Sequence, residues 1–105
     1  TLLTADRRRA HLEWLAGKLR DVLAKYSPVP VEASHIQPLI IGDARKTVEL
    51  SQKLLDIFGI KALPIRKPTV AAGTERLRFS LNARMTGAEI DRLDEALAQL
   101  MPLYN

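Results

Sequence analysis

The 105 residues contain no cysteine, which excludes a disulfide framework, thiolate catalysis and cysteine-bound zinc. Histidine is scarce as well: His11 and His35 are isolated, and two imidazoles alone close no zinc site, so no metal is expected. Long apolar runs are missing. Pro38-Leu39-Ile40-Ile41 falls far short of the roughly 20 residues that cross a bilayer, and no apolar h-region follows the basic Arg7-Arg8-Arg9 cluster. Membrane partners are therefore not expected, and a cytoplasmic location is. One Trp, two Tyr and two Phe are a thin supply for base stacking, and none flanks Arg66 or Lys67. P-loop, dinucleotide-binding glycine and nucleophile-elbow patterns are absent too.

What is present is an ordinary globular balance, 47% hydrophobic and 27% charged, in a length that suits one small domain. A chain opening on Thr1 is expected to be processed or to be a fragment of a larger protein. The net charge of +4 is concentrated: 61–86 holds six basic residues against one acid, while the remainder holds ten against eleven. Such a segment fits a phosphate or nucleic-acid surface, so a standalone basic module over Lys61 to Arg84, binding nucleic acid or another anion, is one reading.

Thr4 is placed to cap a helix from Asp6 to Lys25, striped by Leu12, Leu15, Leu19, Val22 and Leu23, with Trp14 at its edge. Pro28 and Pro30 end it. Ser34 to Ile41 reads as a strand that Pro38 confines to an edge or bulge. Asp43 caps a second helix with a stripe of Val48, Leu50, Leu54, Leu55 and Phe58, and Gly59 stops it. A short strand over 60–65 and a Pro/Gly loop over 67–74 follow. Arg76 to Leu81 alternates cleanly, with Leu77, Phe79 and Leu81 on one face and Arg76, Arg78 and Ser80 on the other. Thr86 and Glu89 have capping-box spacing before a last helix striped by Ile90, Leu93, Leu97 and Leu100 and ended by Pro102. The expectation is an α/β (α+β) fold: about three strands with three helices packed mainly on one face, a leading helix at 1–26 and the α/β unit at 34–101.

Arg76 and Arg78 carry the most chemical information, because period-two spacing puts both guanidiniums on one strand face, roughly 7 Å apart at Cα. Each is a planar fork that holds a carboxylate or phosphate at two points. The alternative is a solvated sheet face, or ion pairs with Glu75 or a helix acid. Thr69, between Pro68 and Val70, offers a hydroxyl to a ligand or serves only turn chemistry. Ser34 and His35 point to opposite strand faces and form no nucleophile–base pair. His11 reads as a surface residue. Asp91, Asp94 and Glu95 fit acids of a first helical turn better than a metal cluster.

The run Ile65-Arg66-Lys67-Pro68-Thr69-Val70-Ala71-Ala72-Gly73-Thr74-Glu75-Arg76-Leu77-Arg78 resembles the C-terminal part of the α-oxoamine synthases, a pyridoxal-phosphate family of fold type I. Ser34 to Gly42 and Glu89 to Leu93 extend the likeness. Within the family it is closest to the biotin-biosynthetic branch, in which alanine is condensed with a pimeloyl thioester, on CoA or a carrier protein, with loss of carbon dioxide. The resemblance implies the small C-terminal domain of an aminotransferase-like enzyme, usually a cytoplasmic homodimer. It also implies Arg78 as the holder of the amino-acid carboxylate and Thr69 as a substrate-site residue, with Arg66 and Arg76 matching family arginines that serve either anion contact at the substrate site or structural pairing. Pyridoxal 5'-phosphate is expected in the full-length parent, held by a large domain of the same chain, and none is expected on this piece. None of Lys18, Lys25, Lys46, Lys53, Lys61 or Lys67 has the surroundings of the family's Schiff-base lysine, so no catalytic residue is expected here and the piece alone should be inactive. Lys67 and Ala71 replace prolines usual in the family's loop, and Arg84-Met85 stands where alanine and histidine are usual. These departures bear on substrate specificity more than on fold.

Overall fold

The computed structural model describes residues 5–104. Helix α1 runs Ala5–Ala24, strand β1 Ile36–Ile40, helix α2 Ala44–Phe58, strand β2 Leu63–Ile65, strand β3 Arg76–Ser80 and helix α3 Gly87–Leu100, followed by a 3-10 turn at Met101–Leu103. The expected cap Thr4 lies outside the described residues. None of the described helices is long and apolar enough to cross a membrane.

The three strands form one antiparallel sheet in the order β1-β3-β2. Register sets its two faces. Gln37 faces Phe79 and Leu39 faces Leu77, and all four side chains are buried beneath the helices. Pro38, Arg78 and Leu63 align on the opposite face, as do Ile40, Arg76 and Ile65. The core joins Leu15, Leu19 and Leu23 of α1, Leu50 and Leu54 of α2 and Ile90, Leu93 and Leu97 of α3 to the inner sheet residues. All three helices thus serve one side, as the alternation of β3 requires, and α1 shares this core. The arrangement is an α+β small domain.

β1 is an edge strand, the position that Pro38 demands. At its ends Leu81 N–H donates to the His35 carbonyl at 2.8 Å and Ile41 N–H donates to the Glu75 carbonyl at 2.9 Å. Bonding toward β3 therefore falls on odd-numbered β1 residues, and Pro38 occupies the outward phase, where its missing N–H costs no ladder bond.

α1 and α3 run side by side in the same direction. Trp14 lies against Gly87, Lys18 pairs with Asp91 at 2.8 Å and Lys25 pairs with Asp94 at 2.8 Å, so the contacts advance together along both helices. Asp91 and Asp94 are thereby cross-links between helices. α2 begins and ends as its sequence dictates: the Asp43 carboxylate accepts from Lys46 N–H at 2.9 Å, and Gly59 takes φ 68° while Ile60 N–H returns to the Leu54 carbonyl at 3.0 Å.

Several expectations are corrected. The Thr86 side chain makes no capping bond; only its carbonyl accepts, from Glu89 N–H at 3.2 Å. Val48 and Leu55 are exposed, because the three-stranded sheet leaves that flank of α2 without a partner, and Thr47 takes an inward place instead. Residues 60–62 do not join β2, which is only three residues long. His11 is half-buried, and its Nε2 lies 2.7 Å from the Met85 carbonyl.

Candidate anion site on the open sheet face

The sheet face turned away from the helices is unlike the inner one: Ile36 and Leu63 are more than half exposed there, and the two strand arginines stand among apolar neighbours. Arg76 donates through Nε to the Thr74 carbonyl at 3.0 Å, which fixes its direction. Arg78 is exposed and makes no hydrogen bond or ion pair with any described residue. Neither arginine pairs with Glu75 or with a helix acid. Internal ion pairing has no support among the described residues, and an exposed Arg78 with its fork unpaired fits both a solvated sheet face and an anion site.

The loop beside them is held from within. Arg66 offers its carbonyl to Thr69 N–H at 3.0 Å and Val70 N–H at 3.4 Å, and Thr74 closes a second turn on the Ala71 carbonyl through both N–H and Oγ. The Lys67–Pro68 peptide is cis. Glu75, only 4% exposed, then ties the loop to its surroundings. Its Oε1 accepts from Gly73 N–H at 2.8 Å, while its carbonyl accepts from Ile41 N–H and Gly42 N–H. Gly42 and Gly73 both have φ 86°, a left-handed conformation that favours glycine, and a Cβ on Gly42 would lie 3.4 Å from the Gly73 oxygen. The Thr69 hydroxyl is exposed and makes no hydrogen bond with a described residue.

The four residues singled out from sequence thus fall into two pairs. Arg76 and Arg78 share a strand face, and Arg66 and Thr69 share a turn, with no hydrogen bond between the pairs. Glu75 is the organising residue that sequence reasoning missed. The signal was available: Glu75, immediately before β3, is in phase with Leu77 and Phe79, so period-two counting already turns the carboxylate inward. The basic segment offers bases no platform, since its one aromatic, Phe79, is buried. Among the described residues no group of acids and histidines is placed to hold a metal.

Residues 3–97 match the family model for aminotransferase class I and II. The chain belongs to that family. Among curated members, it is 45% identical over 96 residues to the 8-amino-7-oxononanoate synthase of Paraburkholderia xenovorans, covering 90% of this chain and 24% of that protein. It is also 45% identical over 94 residues to the 5-aminolevulinate synthase of Rhizobium meliloti, covering 89% and 23%. A solved serine palmitoyltransferase from S. paucimobilis with bound PLP superposes with a TM-score of 0.76 at 28% identity over 96% of this chain and 27% of that one. The chain spans about a quarter of the length of the relatives it matches. These class I/II relatives agree with the resemblance to α-oxoamine synthases carried by Ile65 to Arg78.

Proposed function

We propose that the chain is the substrate-carboxylate-binding C-terminal domain of a pyridoxal-phosphate-dependent acyltransferase, one that condenses an amino acid with an acyl thioester and releases carbon dioxide. The observation that carries the proposal is Arg78: an exposed, unpaired guanidinium on the open face of a buried-backed strand, between Pro38 and Leu63. A carboxylate held there at two points has a fixed plane. That fixes the orientation of the neighbouring carbon–carbon bond, the bond broken on decarboxylation.

The described lysines do not suit an imine with a cofactor aldehyde, which needs an amine of lowered pKa. Lys18 is paired with Asp91, and Lys25 is held above its ordinary value, first by its hydrogen bond to Asp94. Lys53 lies 5.1 Å from the centre of the Tyr104 ring, and Lys46, Lys61 and Lys67 are exposed. The cofactor is therefore assigned to a large domain of the same chain, where it supplies the electron sink, and this chain's part is to bind and orient. Thr69 and Arg66 border the acyl substrate from the loop, and Arg76, committed to Thr74, supports the strand from which Arg78 projects. The open sheet face, with Ile36 and Leu63 exposed, is assigned to contact with that large domain. The parent is read as a cytoplasmic homodimer of the biotin-biosynthetic branch, using alanine and a pimeloyl thioester.

The test is carbon dioxide release by the full-length parent with alanine and a pimeloyl thioester, set against serine and a palmitoyl thioester. Turnover with alanine that collapses in Arg78→Ala supports the reading, and preference for the serine pair moves the protein to another branch. Full activity without Arg78 removes the assigned role.

A further inference from the structure

The loop over 66–74 owes its place to hydrogen bonds. None of its apolar residues belongs to the buried core or packs against it, and its turns at Thr69 and Thr74 close on the loop's own carbonyls. A segment with so little apolar burial sits at the low end of local stability. Among the described residues two side chains reach into the loop from outside it: Arg76 Nε donates to the Thr74 carbonyl at 3.0 Å, and Glu75 Oε1 accepts from Gly73 N–H at 2.8 Å. Arg76 holds the last loop residue, which already adjoins the strand. Glu75 reaches further in.

Glu75 is also anchored independently of its side chain. Its carbonyl accepts from Ile41 N–H at 2.9 Å and from Gly42 N–H at 3.0 Å, bonds that any residue at this position makes, so the corner between β1 and α2 fixes where the carboxyl starts. The side chain is buried and makes no ion pair with a described residue. A carboxyl taken out of water with no cation beside it costs stability rather than adding it. Its place is explained by what it holds.

We propose that Glu75 is a positioning residue: its Oε1, acting as an acceptor and not as a charge, ties the Gly73 end of the loop to the β1–α2 corner and thereby keeps Thr69 at the substrate site. This role rests on the one given to Thr69 above. Backbone and side chain of Glu75 divide the task. The main-chain bonds keep the start of β3 in place in every variant, so loss of the carboxyl frees the loop and leaves Arg78 where it stands.

The full-length parent carrying Glu75→Met, Glu75→Gln or Thr69→Ala tests this. Methionine fills nearly the same space but leaves Gly73 N–H without a strong acceptor, whereas glutamine restores the acceptor without the charge. In Glu75→Met, hydrogen exchange should quicken in 66–74 and stay unchanged in Arg76–Ser80. KM for the acyl substrate should rise as it does in Thr69→Ala, while kcat and the KM for the amino acid stay within about twofold of the unaltered enzyme. Glu75→Gln should match the unaltered enzyme in all of these. Because both residues act on one interaction, Glu75→Met combined with Thr69→Ala should raise the acyl KM no further than the larger single effect. Unchanged loop exchange in Glu75→Met overturns the proposal, as do multiplication of the two effects, an amino-acid KM that rises with the acyl one, and Glu75→Gln behaving like Glu75→Met. So does a normal acyl KM in Glu75→Met where Thr69→Ala raises it. A normal acyl KM in Thr69→Ala itself withdraws the role of Thr69, and with it the purpose assigned to Glu75, even where exchange quickens.

Discussion

The indole of Trp14 occupies the space that a side chain on Gly87 would fill. A Cβ built there lies 2.5 Å from Trp14 Cη2 and 3.2 Å from Cζ3. The same ring stacks with His11 at 6.1 Å between centroids and has Lys18 Nζ 5.6 Å from its centre, so a ring that is 54% exposed is still held on three sides. Gly87→Ala should expel the indole. Trp14 emission should move to the red, with a stability change within about 1 kcal/mol because the helix gains propensity as it loses the contact. An unchanged emission spectrum would mean that Trp14 does not rest on α3 in solution.

Arg78 touches no described partner, so its truncation separates binding from folding. Arg78→Ala should leave the melting temperature of the chain within a few degrees of the parent value. In the full-length enzyme it should cost on the order of 2–4 kcal/mol of transition-state stabilisation, read from kcat/KM for the amino acid. Arg78→Lys should recover only part of that, since an ammonium lacks the two-point fork. A large drop in melting temperature with unaltered amino-acid kinetics would make the arginine structural.

Thr69 Oγ is unengaged while its backbone N–H is fixed on the Arg66 carbonyl. Thr69→Ala in the parent should therefore raise KM for the acyl substrate several-fold and leave kcat nearly unchanged, as loss of uniform binding does. Identical kinetics for both substrates would return Thr69 to turn chemistry.

Pyridoxal phosphate mixed in equimolar amounts with the chain alone should leave no single lysine stoichiometrically labelled after borohydride reduction, as checked by peptide mass mapping. The reason is that Lys25 is held protonated by Asp94 and Lys18 is paired with Asp91. Complete labelling at one position would show that this piece carries a reactive amine after all.

Alkaline pH should loosen the α1–α3 pair. Lys25 is raised above 10.5, chiefly by its hydrogen bond to Asp94, and Tyr26 is raised above 10.0, chiefly by burial and then by the Asp94 charge. Both groups keep a proton in the folded state that the unfolded chain releases sooner. Their stabilisation is full below about pH 10 and disappears as pH climbs through the raised values. Urea midpoints should fall between about pH 10 and 12, and the fall should be shallower in Asp94→Asn. A decline equally steep in that variant would dissociate it from this pair.

Much of the fold was legible because its signals are local. Asp43 and Gly59 bound α2, Pro38 sends β1 to an edge, and the alternation from Arg76 to Ser80 separates the arginines from the core. The failures are non-local. Whether Val48 and Leu55 are covered depends on how far the sheet extends, and the partner of His11 lies 74 residues away at Met85. The capping-box spacing at Thr86 was right, yet the side chain left its expected bond unmade. At the site, period-two counting placed Arg76 and Arg78 together and turns Glu75 inward, but its tie to Gly42, 33 positions back in the chain, is non-local.

The phase of Pro38 has a bearing on solubility. Outward N–H groups of β1 fall on Ile36, Pro38 and Ile40, and Ile36 N–H is engaged by Ser34 Oγ at 3.2 Å. Proline removes the central one, which leaves Ile40 as the single unengaged outward donor along the strand. An incoming β-segment, whether from another molecule or from an unfolded neighbour, finds almost no ladder to extend. A sheet with isoleucine and leucine on its open face is thereby guarded along this edge against growth into cross-β fibrils.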